Sequence, residues 1–154
     1  MKIKCYFCTT FSDVQSLYYS TMPTIRAKSA ENLNSAKLLI ENGYYTASVH
    51  CLYYSCFQLA KYILNTFGTI DYNTQNSQKG ADSHSFICEQ LFRLNDEQKG
   101  RFVAVDCRSY LQKLKLGRVK ADYQESIITE DEITVLREVA NKFDTLCKQK
   151  YEIV

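Results

Sequence analysis

Punctuation is scarce in this chain. Its 154 residues include one proline, Pro23, and five glycines, too few for a fold of hairpins, which needs turn chemistry at every reversal. No apolar run is long enough to span a bilayer, and Met1 to Thr10 carries Lys2 and Lys4 without a sustained apolar stretch. Neither a membrane span nor a secretory leader is therefore expected. Charge of one sign is missing too: 19 Lys and Arg against 17 Asp and Glu leave a net charge of +2. That near-balance excludes a broad basic footprint for nonspecific duplex binding and leaves room only for a local patch. Tryptophan is absent and histidine is limited to His50 and His84. There is no glycine-rich phosphate loop, no Gly-x-Ser-x-Gly elbow and no HExxH pair.

Cysteine is present in an odd number, seven. Without a secretory signal these read as reduced thiols serving as small core hydrophobes, and the expected compartment is cytoplasmic. Cys5-Tyr-Phe-Cys8 is a lone CxxC pair. Tetrahedral zinc needs four ligands and no second pair lies at a finger-like spacing, so no metal and no cofactor are expected. Twelve Tyr and eight Phe supply rings that bury their bodies, and each Tyr adds a hydroxyl for water or a partner.

The remaining pattern is helical. A chain of this length holds one domain and buries roughly 70% of its unfolded surface. Residues 1–28 show no clean period and are expected to form an arm or a short helix; residues 29–150 are expected to form the domain. Ser29 is the expected cap of a first helix, with Glu31 in its first turn, Leu33, Ala36, Leu39 and Ile40 on its apolar face, and Gly43 as its left-handed stop. The segment from Tyr45 to Phe67 is apolar almost all the way round, as befits the central rod of a bundle, and the short junction at Gly43 folds it back on the first helix. Thr69 to Ser83 reads as a loop, and a short third helix is expected from His84 to Leu94.

Asn95 or Asp96 is the expected cap of a fourth helix whose buried stripe is Val103, Cys107, Tyr110, Leu114, Gly117 and Ala121. Thr129-Glu-Asp-Glu132 is a capping box opening a last helix, with Ile133, Leu136, Ala140, Phe143 and Cys147 inward. The fold class is all-α, an up-and-down bundle of four to five helices.

Three segments, taken in order, resemble the HEPN domain family in its small prokaryotic members. The run from Ala36 to Tyr54 has an amphipathic helix, a Gly43-Tyr44 turn and a helix with a Tyr53-Tyr54 pair followed by Phe57. Ser83-His84-Ser85 places a His at the start of the third helix, and Arg118-Val-Lys-Ala-Asp-Tyr123 matches an Arg-x-x-Ala-Asp-Tyr ending of the fourth. The resemblance covers about residues 29–150. It implies a bundle that forms a homodimer and partners a minimal nucleotidyltransferase, in a toxin–antitoxin-like setting. Many members are metal-independent ribonucleases using Arg-x(4–6)-His. Here Tyr123 stands where that His would follow Arg118, and a phenol with a pKa near ~10 is a poor base at neutrality.

The site residues implied for nucleotide or RNA binding are Arg118, Asp122, Tyr123, His84, Lys115 and Lys120. The reading that follows is a partner-binding or nucleotide-binding module; the alternative is a divergent ribonuclease using Arg118 with Tyr123 or His84. Each residue also has a plainer role. Arg118 and Asp122 are spaced for an ordinary i, i+4 ion pair, and Tyr123 suits a ring packed at a helix end. Arg118 and Tyr123 converge only if the helix ends or kinks between them. His50, on the crowded central helix, reads as a core histidine, and Tyr53 and Tyr54 as packing or dimer contacts. Lys113, Lys115, Arg118 and Lys120 give the end of the fourth helix a local positive density, with Arg108 upstream. Tyr123 is also a candidate acceptor of a nucleotidyl group from the partner, as the resemblance implies.

Overall fold

A computed structural model of the chain describes residues 24–77 and 82–153. Of the expected arm, residues 1–28, positions 1–23 with Pro23 and the Cys5–Cys8 pair lie outside the described residues. Among those described there are six helices and no strand: α1 (Thr24–Glu41), α2 (Tyr45–Phe67), α3 (Tyr72–Ser77), α4 (Asp82–Gln98), α5 (Arg101–Tyr123) and α6 (Glu130–Tyr151). Five are long, and α3 is a single short piece in the segment expected to be a loop.

The central rod is α2, which packs against α1, α4, α5 and α6. Its all-round apolar composition dictates that position: Val49, Leu52, Tyr53, Leu59, Ala60, Ile63 and Leu64 are all buried. Asn42, Gly43 and Tyr44 alone separate α1 from α2, with Gly43 at φ 76°. Because Ser29 donates 2.8 Å to the Ser55 carbonyl, the middles of the two helices touch, which requires α2 to double back along α1. From the other side Leu111 and Leu114 of α5 and Ile133, Ala140 and Phe143 of α6 complete one continuous core.

The structure corrects several boundaries. The first helix starts at Thr24, so Ser29 and Glu31 lie within it; Ser29 is no cap because its hydroxyl is committed to Ser55 across the helix pair. The third long helix runs on to Gln98, and Asn95 caps nothing. Its side chain is fully buried, donating 3.0 Å to the Leu91 carbonyl and accepting 3.0 Å from the Tyr151 hydroxyl. The break before α5 falls instead at Gly100, with φ 95° and ψ 159°. In α3, Asp71 accepts from the Thr74 backbone N–H at 2.8 Å, and Gln75 is buried, donating to the Lys61 and Ile70 carbonyls. The last helix opens as expected, with the reciprocal Thr129–Glu132 capping box in place.

Of the cysteines described, Cys56, Cys107 and Cys147 are buried and Cys51 and Cys88 half-buried, all as free thiols. Burial pushes the Cys56 thiol up to about 12, so it packs as a neutral group.

Candidate functional site

Helical periodicity builds two adjacent ridges on one face of α2. His50 and Tyr54 are four residues apart with ring centroids at 4.6 Å; Tyr53 and Phe57, also four apart, stack at 5.7 Å. Onto these ridges α4 lowers its first turn. The His84 ring stacks on Phe57 at 4.4 Å and lies 5.6 Å from Tyr53, whose hydroxyl meets His84 Nδ1 at 2.5 Å.

From the third side comes α5. The Arg118 guanidinium lies 5.8 Å from the Tyr53 ring centre and 5.7 Å from that of Tyr54, a cation over two aromatic faces. Its Nε donates 2.8 Å to Asp122 Oδ2, and the other carboxylate oxygen lies 3.7 Å from His50 Nδ1. Arg118 is thus in its i, i+4 ion pair, and the pair is also the floor of an aromatic and imidazole cluster. The Asp122 contact uses Nε, and the two terminal amino groups of Arg118 make no hydrogen bond to described residues. Burial opposes the guanidinium's charge, but Tyr54 and Asp122 outweigh it and hold its pKa above the ordinary value.

The local field is positive. Burial, and after it Arg118, Lys115 and Lys61, push the His84 pKa below its ordinary value, so His84 is a neutral imidazole among three cations. Lys115 makes no ion pair with described residues, whereas Lys61 donates 3.0 Å to Asn76 on α3. The arrangement suits an anion. It offers a guanidinium fork whose terminal donors are unclaimed by any described residue, an ammonium and aromatic faces, with one carboxylate to orient the fork.

The expected site residues separate into two groups. Arg118, Asp122, His84 and Lys115 come together. Lys120 does not join them: it is ion-paired with Glu132 of α6. Tyr123 ends a helix that continues unbroken past Arg118, and it is 75% exposed, so it reaches Arg118 only through the local field. Arg108 is paired with Glu89 and stacked 3.5 Å from the Phe92 ring, and it borders a cleft with Ser85, Cys88 and Lys115 at the edge of this cluster. His50 is not a core histidine. Its side chain is 49% exposed, because it stands on the side of α2 that faces Asp122 at the end of α5, away from the buried Val49 and Leu52. Tyr53 and His50 were missed as site residues, and the signal that could have found them is the pair of four-residue spacings, His50–Tyr54 and Tyr53–Phe57. Among the described residues no group of three or more His, Cys, Asp or Glu side chains could hold a metal ion.

A helical bundle with an Arg-x-x-Ala-Asp-Tyr terminus facing a Tyr-Tyr helix defines a recognisable class. The HEPN domain family matches residues 24–150, and the chain belongs to that family. No curated protein and no solved structure matches it.

Proposed function

We propose that this HEPN-family chain is a nucleotide- or RNA-binding module, with Arg118 as the phosphate ligand and His84, Lys115 and the Tyr53–Tyr54 faces around it. The observation that carries the reading is Arg118 itself: one edge is oriented by Asp122, the plane is backed by two tyrosine rings, and no described residue takes a hydrogen bond from the terminal donors. A structural ion pair needs none of the last two features. Fluorescence anisotropy with a labelled RNA oligonucleotide and with a labelled nucleotide tests it, in chelator. Arg118→Gln is expected to weaken binding at least ~10-fold, equivalent to about 1.4 kcal/mol. Equal binding by the folded variant and the wild type sinks the reading.

Family membership supports a minimal nucleotidyltransferase as the partner, in a toxin–antitoxin-like pair. The exposed Tyr123 hydroxyl is the acceptor this reading assigns to a transferred nucleotidyl group. Intact mass after incubation with such a transferase and ATP is expected to rise by one nucleotidyl unit in the wild type and not in Tyr123→Phe. A homodimer is supported by the exposed apolar side chains Leu116, Ile127 and Val135 around the end of α5 and the start of α6.

One observation favours a second reading, a divergent metal-independent ribonuclease. Two imidazoles, His84 and His50, stand within the Arg118 cluster although neither occupies the expected spacing after it. Cleavage of RNA in chelator, lost in Arg118→Gln and in one of the two His→Gln variants, is the result that would select it.

A further inference from the structure

Tyr53 has no exposed surface, and its hydroxyl makes one hydrogen bond among the described residues, 2.5 Å to His84 Nδ1. A buried phenolic O–H needs an acceptor. Neutral imidazole offers one only at its unprotonated nitrogen. If Nδ1 carried the proton it would donate to the phenolic oxygen, and the buried O–H would be left with no acceptor among the described residues. We propose that Tyr53 is a positioning residue that locks His84 in the tautomer with its proton on Nε2, so that the imidazole meets its ligand as a hydrogen-bond donor.

The surroundings agree. Among the described residues, the groups around His84 are Tyr53, Tyr54, Phe57 and Lys61 from α2 and Lys115 and Arg118 from α5, with Cys88 of α4 beside Tyr53. Three of them are cations, which oppose a second proton on the ring, and burial pushes the Tyr53 phenol above its usual value, so the phenol keeps its proton to donate. The stack on Phe57 holds the ring plane. A donor at Nε2 complements a phosphoryl oxygen, which only accepts, and so adds one directed contact to the fork of Arg118. The same tautomer has no lone pair on Nε2 and cannot take a proton from a ribose hydroxyl there. For its ligand the inference rests on the proposed phosphate site; the tautomer stands on the Tyr53 contact alone.

The test is a long-range nitrogen–proton correlation spectrum of the nitrogen-15-labelled full chain near neutral pH. With two histidines in the chain, a His50→Gln sample assigns both rings. His84 is expected to show a protonated Nε2 and a bare Nδ1, and Tyr53→Phe is expected to turn this into a mixture of tautomers. A wild-type ring protonated on Nδ1, or a mixture, overturns the inference, as does a Tyr53→Phe spectrum that does not change. Should Tyr53→Phe fail to fold, the wild-type spectrum still decides. Inorganic phosphate is then expected to shift His84 Nε2 more than Nδ1. A phosphate response confined to Arg118 overturns the donor role and leaves the proposed site standing. The expected tautomer with no response at either residue overturns the site and the donor role together.

Discussion

A guanidinium is always charged, so what distinguishes one arginine from another is how its plane and donors are used. Arg118 spends its Nε on Asp122 and its face on two tyrosines, and burial of the pair separates it from Arg93 and from Arg101, which also lies over a ring, that of Phe92, but whose pair with Asp96, like that of Arg93 with Glu89, is more exposed. Exposed pairs of that kind contribute only ~0–1 kcal/mol. The His84 environment has a consequence that can be measured without any ligand. Burial and then the neighbouring cations lower its pKa in the folded chain, while the unfolded value stays near ~6.5. Between the two values the unfolded chain holds the extra proton, so stability rises with pH up to about 6.5 and levels off above it. Urea midpoints for His84→Gln are expected to lose that part of the slope; parallel profiles for variant and wild type would count against the environment described.

At this scale Arg118, Asp122 and His84 were legible because two separate family segments mark them, and Lys115 because of the positive density at the end of the fourth helix. Tyr53 and His50 were not, since their roles depend on which face of α2 meets α4 and α5. Lys120 sits two residues from Asp122 in sequence, but Glu132 of another helix captures it.

The elements follow local rules where the deciding contacts are local. The Thr129 box, with Glu132 accepting from the Thr129 backbone N–H at 3.0 Å, was readable from four consecutive residues. Thr129→Ala is expected to cost about 1 kcal/mol of global stability by urea unfolding. Local rules fail where a tertiary partner claims the capping side chain: Ser29 goes to Ser55, and Asn95 goes to Tyr151. The real boundary between α4 and α5 is set by Gly100, in a backbone region open to glycine almost alone. No atom lies within 4 Å of where its Cβ would stand, so Gly100→Ala tests backbone strain without a clash. A loss of ~1–3 kcal/mol is expected, and an unchanged urea midpoint would show that the turn adapts.

For the whole molecule, the all-α bundle was legible from periodicity and the lack of turn residues, whereas the extra helix α3 was not: its six residues are polar and carry no period. Its one buried side chain, Gln75, donates to the backbone carbonyls of Lys61 and Ile70. The bundle also leaves apolar surface uncovered. A groove with Gly117, Ile128, Val135 and Leu136 on its floor is rimmed by Lys120, Asp131 and Glu132, and Ile128 also borders a second cleft with Tyr44 and Ile127, which is 78% exposed. A contiguous patch of this kind marks an interaction surface. If two copies meet there, analytical ultracentrifugation should find a dimer for the wild type and a folded monomer for Val135→Asp; a wild-type monomer at high concentration would contradict the homodimer.

Groove and cluster offer opposed chemistry, since the first is apolar and the second is cationic and aromatic. Following the side-chain nitrogen signals while metal-free ATP is added therefore tests the central claim most directly. Saturable shifts are predicted at Arg118 Nε and His84, with a smaller response at His50 transmitted through Asp122. Saturable changes around Ile128, Val135 and Leu136, with Arg118 unmoved, would contradict it.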